Sequence, residues 1–216
     1  MVPASVLTRR MEAVLHAELS PLGFDRIRAR RWVESRNRSI RKLFEFQSLK
    51  GAGYSARWGY SLDFVPIRSN GRLRWKRTAR AAQFDLCVDP LDTDGSHDRY
   101  RLSRFIFPLK TYDWDRLARI VRCATRAARE DFNRVDSLEN IVAIFEERSA
   151  TAFKRFSLNN YLQTHIAWGL CLLAIGKPDE AEGHLRTYCT QQSLDRNDPI
   201  LRRAEQEALN ARREPS

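Results

Sequence analysis

Asp89, Asp92, Asp94 and Asp98, with Gly95 among them, form the densest group of metal-ligating side chains in this sequence. Clustered carboxylate oxygens suit a hard cation, but a calcium loop needs ligands at ordered spacing and a closing Glu at its twelfth position. Here no carboxylate precedes Asp92 by two and no Glu closes the run, so a solvated acidic turn is the plainer reading. Glu45 and Asp63 fall on the polar faces of two adjacent strand-like runs, where one could serve as a general base. Cross-strand arginines such as Arg41 and Arg57 explain the two carboxylates more simply.

The remaining reactive side chains are dispersed. His16, His97, His165 and His184 are far apart, and none stands in a recognised nucleophile setting; His165, on an apolar helix face, reads as a hydrogen-bonded core residue. Cys87, Cys123, Cys171 and Cys189 form no CxxC and, with three of them inside apolar patterns, suit buried reduced thiols better than a zinc site or disulfide framework. There is no GxSxG, P-loop or GxGxxG, and Gly51-Ala52-Gly53 lacks the lysine and helix that phosphate binding needs. The expectation is a protein without a cofactor or metal, and the balance falls against an enzyme.

Charge is more informative. The net charge is +11, yet residues 1–80 hold 18 Lys+Arg against 6 Asp+Glu (+12), and residues 81–216 hold 20 against 21 (−1). A cationic first part of this kind implies an acidic partner or a polyanion. The candidate binding residues are Arg26, Arg28, Arg30, Arg41, Arg57, Arg72, Arg74 and Lys76, on strand-like segments whose other face is apolar. The leading expectation is a non-enzymatic binding protein that uses a basic sheet surface to engage an acidic protein. The alternative is nucleic acid held by the same arginines, with Trp32 and Trp75 as stacking platforms, although no base-reading motif accompanies them.

These residues must be positioned by recognisable elements. The spacing of Val6, Leu7, Met11, Val14, Leu15 and Leu19 predicts an amphipathic helix over 4–19, stopped by Ser20-Pro21-Leu22-Gly23. Phe24 to Val33 alternates as a single first strand with an arginine row on its polar face. Leu43 to Ile67 forms the central hairpin: Phe44 and Phe46, then Trp58, Tyr60, Leu62 and Phe64, face a core, while Arg57, Ser61 and Asp63 face water. Ser69-Asn70-Gly71 is a tight turn before a basic edge strand at Arg72 to Lys76. Short strands follow at Phe84 to Val88 and Tyr100 to Pro108.

Helices fill the rest. Asp113 caps the first, Asp136 with Glu139 resembles a capping pair for the second, and Ser157 caps a third that runs through Leu173. Gly176-Lys177-Pro178 separates the third from a fourth, and 199–212 forms the last. The predicted class is α+β: an N-terminal helix on a mainly antiparallel twisted sheet over 1–110, then a helical bundle over 111–216 packed on it. With 43% hydrophobic residues, no long apolar run and no signal-like start, a cytoplasmic chain with no membrane span is expected.

Leu22-Gly23-Phe24 after the first helix, Phe44-Glu45-Phe46-Gln47-Ser48, and Arg57-Trp58-Gly59-Tyr60-Ser61-Leu62-Asp63-Phe64-Val65 together resemble the bacterial domain of unknown function 4304 family over about residues 4–110. The resemblance implies a helix packed on an antiparallel sheet and carries no catalytic residues. By analogy it suggests an immunity or toxin-neutralising protein. Trp168-Gly169, Leu172, Gly176, Ala181 and Leu185 resemble one tetratricopeptide-like helix pair, and a lone pair cannot build a peptide-binding groove.

Overall fold

The computed structural model describes residues 1–36, 39–49, 53–75, 78–88, 100–105, 111–159 and 163–211, with the backbone alone over 151–159. It is an α+β arrangement: an N-terminal helix, antiparallel strands, then five α-helices. Helix α1 (Ala4–Leu19) buries Leu7, Met11, Leu15 and Leu19, the stripe its periodicity predicts. Gly23 follows at φ 84°, a left-handed conformation that glycine adopts without steric cost.

Strands β1 (Asp25–Arg28), β2 (Arg31–Glu34), β3 (Ile40–Leu49), β4 (Gly53–Leu62) and β7 (Leu86–Cys87) form the main sheet in that order, and β8 (Arg101–Ser103) pairs with the first residues of β4. The expected single first strand is two strands. Arg30 takes φ 63° and reverses the chain, so Arg26 pairs across from Trp32 and Arg28 from Arg31. No Gly or Asn announces this turn. It is held tertiarily, by Arg30 N–H donating to Glu12 Oε1 at 3.1 Å and by the Arg30 guanidinium lying 4.6 Å from the Tyr54 ring centre.

The central hairpin is antiparallel as expected, and its register sets Phe44 opposite Trp58 and Lys42 opposite Tyr60. Its exposed face, however, is not exposed. Every residue of β4 is buried, because Val33, Leu43, Ala82, Phe84 and Cys87 make a second small core on the face opposite the aromatics. Gly59 permits this covering: a Cβ there would lie 2.0 Å from the Leu86 carbonyl oxygen. β5 (Ile67–Ser69) and β6 (Arg72–Arg74) form a separate two-stranded sheet around Asn70 and Gly71, both at positive φ as the turn requires.

Helix α2 (Trp114–Asn133) starts at Asp113, whose carboxylate accepts from Arg116 N–H at 2.7 Å as its capping role predicts. It packs beside α1 over the aromatic face of the sheet, where one contiguous cluster joins Leu7, Met11, Trp58, Tyr60, Leu117 and Val121. Helix α3 (Leu138–Asn159) is capped one residue later than expected, by Ser137 and Asn140. It runs through Ser157, so that residue starts no helix; the next, α4 (Thr164–Ala174), begins after Gln163. Helices α5 (Pro178–Gln192) and α6 (Pro199–Ala211) complete the chain, with Gly176 at φ 86° and Pro178 in the first turn of α5. No described helix is long and apolar enough to cross a membrane.

Candidate binding surface

The carboxylates proposed for acid–base chemistry are separated and each is paired. Glu45 lies opposite Arg57, whereas Asp63 donates its backbone N–H to Ser39 O, six residues away along β3, or about 20 Å at strand rise. Glu45 accepts from Arg31 at 2.7 Å and Asp63 from Arg41 at 2.7 Å. Arg41 is therefore the cross-strand partner expected for Asp63, while the β2–β3 register places Arg31, not Arg57, on Glu45. Among the described residues no three His, Cys, Asp or Glu side chains are arranged to hold a metal ion; the acidic run from Asp89 to Asp98 lies outside them.

The seven candidate basic residues that lie among the described residues do not gather on one flank. Arg57 is a correction: it is 8% exposed, under the 79–87 segment, with Nε 3.2 Å from Cys87 Sγ and the guanidinium 4.6 Å from the Phe84 ring centre. A guanidinium stacked in this way contributes to packing and is lost as a surface contact. Arg26 pairs with Glu12 at 2.8 Å, Arg41 is largely buried against Asp63, and Arg30 is spent on Tyr54. Arg28 is exposed on β1, the edge of the main sheet, beside the short 79–81 helical turn that carries exposed Arg80. Arg72 and Arg74 are exposed on β6, which packs toward α6. Lys76 lies outside the described residues.

A second basic row went unread in the sequence. Arg116, Arg119, Arg122, Arg126 and Arg129 on α2 are all exposed. At 100° per residue they occupy about 140° of the helix circumference, and they span about 20 Å of axis. The opposite side of α2 buries Leu117, Val121, Ala124, Ala128 and Phe132. Arg122 meets Glu18 of α1 at 3.4 Å; the other four have no ion-pair partner among the described residues. The readable signal was an arginine every three or four residues opposite an apolar stripe. The near-neutral balance of residues 81–216 hides it, because the acids that offset these arginines lie mostly farther along.

The helical end holds the only close histidine pair among the described residues. His165 Nδ1 and His184 Nδ1 are 3.0 Å apart across α4 and α5, and the His184 ring lies 4.1 Å from that of Trp168. Burial, reinforced by the facing His165, holds the His184 imidazole down at about 4; burial also lowers His165. Gly169 allows this close approach, since a Cβ there would stand 3.0 Å from Leu185 Cγ and 3.1 Å from Ala181 O. Spacing of nineteen in sequence hid the pair; the antiparallel helix hairpin makes it.

In comparisons with known proteins, no family model, no curated protein and no solved structure matches the chain.

Proposed function

We propose that this chain is a non-enzymatic binding protein that engages an acidic protein through arginines displayed outside its core, in the manner of an immunity or toxin-neutralising protein. One observation carries the reading: Arg28, Arg72 and Arg74 are exposed and have no ion-pair partner among the described residues, although acids elsewhere in the chain pair with Arg26, Arg31 and Arg41. Unneutralised arginine heads on short strands lose little on meeting carboxylates and form bidentate contacts with them. The immunity form extends the resemblance read in residues 4–110 and is itself part of the proposal.

Affinity capture with the tagged full chain from native lysate tests it. The wild type is expected to retain an acidic protein that moderate salt releases, and the R28E/R72E/R74E variant to lose it while melting like the wild type. Recovery of no protein partner, or capture unchanged by the triple reversal, overturns the proposal.

A further inference from the structure

We infer that the arginine row of α2 docks on the phosphate backbone of double-stranded nucleic acid, without reading its sequence. The surface is distinct from the one just proposed for a protein, and its residues lie on a different element. Arg116, Arg119, Arg122, Arg126 and Arg129 advance along one 20-residue helix, anchored through Asp131 to Trp58, in steps of about 4.5–6 Å. Such a ladder of guanidinium groups meets successive phosphates and releases the counterions condensed on them. Arg9 and Arg10 of the neighbouring α1 are exposed as well, and Arg10 lies 5.4 Å from the Trp114 ring centre at the start of α2. The acids on the same helix, Asp115 and Glu130, are outnumbered, and Asp131 is turned inward onto Trp58.

The regular spacing of this face sets it apart from the one proposed for a protein. Arg28 sits on the edge of the main sheet and Arg72 with Arg74 on the small sheet, whereas the α2 arginines repeat along one axis as phosphates do. The exposed large apolar side chains among the described residues are Met1, Val6, Phe105 and Leu209, and none is on α2. A single strand would call for aromatic platforms on which bases stack; the exposed face of α2 has none, its one exposed soft side chain being Cys123. Charge without an apolar centre fits backbone contact, which positions a duplex and carries no base specificity.

The full chain is titrated against labelled random-sequence DNA and RNA duplexes of about 30 base pairs and against one single strand, followed by fluorescence anisotropy at several salt concentrations. With four to five phosphate contacts the logarithm of affinity is expected to fall against the logarithm of salt with a slope of about −4, a loss of roughly 250-fold for a fourfold rise in salt. R119E/R126E/R129E is expected to weaken binding at least ~10-fold and flatten the slope to about −1, and R119K/R126K/R129K to bind nearly as the wild type, because phosphate contact needs the charge. R28E/R72E/R74E leaves duplex binding in place. A preference for DNA or RNA identifies which duplex is the partner. The inference is overturned by no duplex binding at low salt, by an α2 reversal that binds as the wild type while melting normally, by loss on the strand variant instead, or by a single strand bound as tightly as the duplex. Protein capture fails or succeeds independently of all these outcomes.

Discussion

The indole Nε1–H of Trp58 donates to the Asp131 carboxylate at 2.7 Å, joining the centre of the sheet to the last turn of α2. Tyr60, two residues along β4, donates its hydroxyl to the Asp131 backbone carbonyl at 3.1 Å. Two large aromatics, both fully buried, thereby end in polar contacts to one residue, which sets the rotation of α2 and so turns its arginines outward. Burial raises the Asp131 carboxyl, opposed by the Trp58 hydrogen bond and by Arg148 and Arg134.

Replacing Asp131 by Ala is expected to cost about 1–3 kcal/mol, since the Trp58 donor is left without its acceptor. Replacing it by Asn keeps an acceptor and removes the partly buried charge, with an expected change within about 1 kcal/mol. A carboxyl raised in the folded state binds protons more readily there than in the unfolded chain, so its ionisation subtracts stability as pH rises through the folded value. D131N should therefore gain on the wild type between about pH 4 and 7. Urea midpoints of the three proteins at the two pH values measure this, and a D131N as damaging as D131A would contradict it.

Gly59 and Gly183 are expected to respond oppositely to alanine. At Gly59 the new Cβ meets the Leu86 carbonyl oxygen at 2.0 Å and Cys87 Cα at 2.9 Å, backbone atoms that cannot rotate away. Gly59→Ala should lose about 3 kcal/mol or more, within the range of severe overpacking. At Gly183, inside α5, no described atom lies within 4 Å of the added Cβ, and Gly183→Ala should gain about 0.5–1 kcal/mol from helix propensity. Thermal melts of both variants decide the matter; a tolerated Gly59→Ala would mean that the β7 backbone does not approach Gly59 this closely.

Acid should loosen the α4–α5 hairpin before it affects the sheet. His184 is held down at about 4, below its unfolded value near 6.5. Between those values the unfolded chain takes a proton that the folded chain refuses, so stability is lost as pH falls from about 6.5 to 4. Allowing for the half-exposed ring, the loss is on the order of 1 kcal/mol. His184→Gln should abolish this part of the profile, and a melting curve whose pH dependence is the same with and without the imidazole would exclude the mechanism.

Much of the architecture was legible because it is local. The stripe Leu7, Met11, Leu15, Leu19 specifies α1, the Asn70-Gly71 dipeptide specifies the β5–β6 turn, Asp113 caps α2, and Gly176 with Pro178 divides α4 from α5. The turn at Arg30 was illegible because its stabilising partners, Glu12 and Tyr54, lie 18 and 24 positions away. The candidate site suffered in the same way. Alternation in β4 places Arg57 opposite the aromatics but is silent on whether that face meets water, and the 79–87 segment that covers it comes more than twenty residues later.

By itself the sequence determined where most helices and strands lie, and how many cations there are to display, since periodicity and composition act through neighbouring bonds and near contacts. Only the tertiary structure decided which arginines keep their charge for a partner. Burial takes Arg57 from the surface, an opposing carboxylate engages Arg41 and an aromatic ring Arg30, and each of those neighbours is brought in by a distant segment. The row on α2 stays outward for the complementary reason: the apolar side of the same helix is what the sheet and α1 bury.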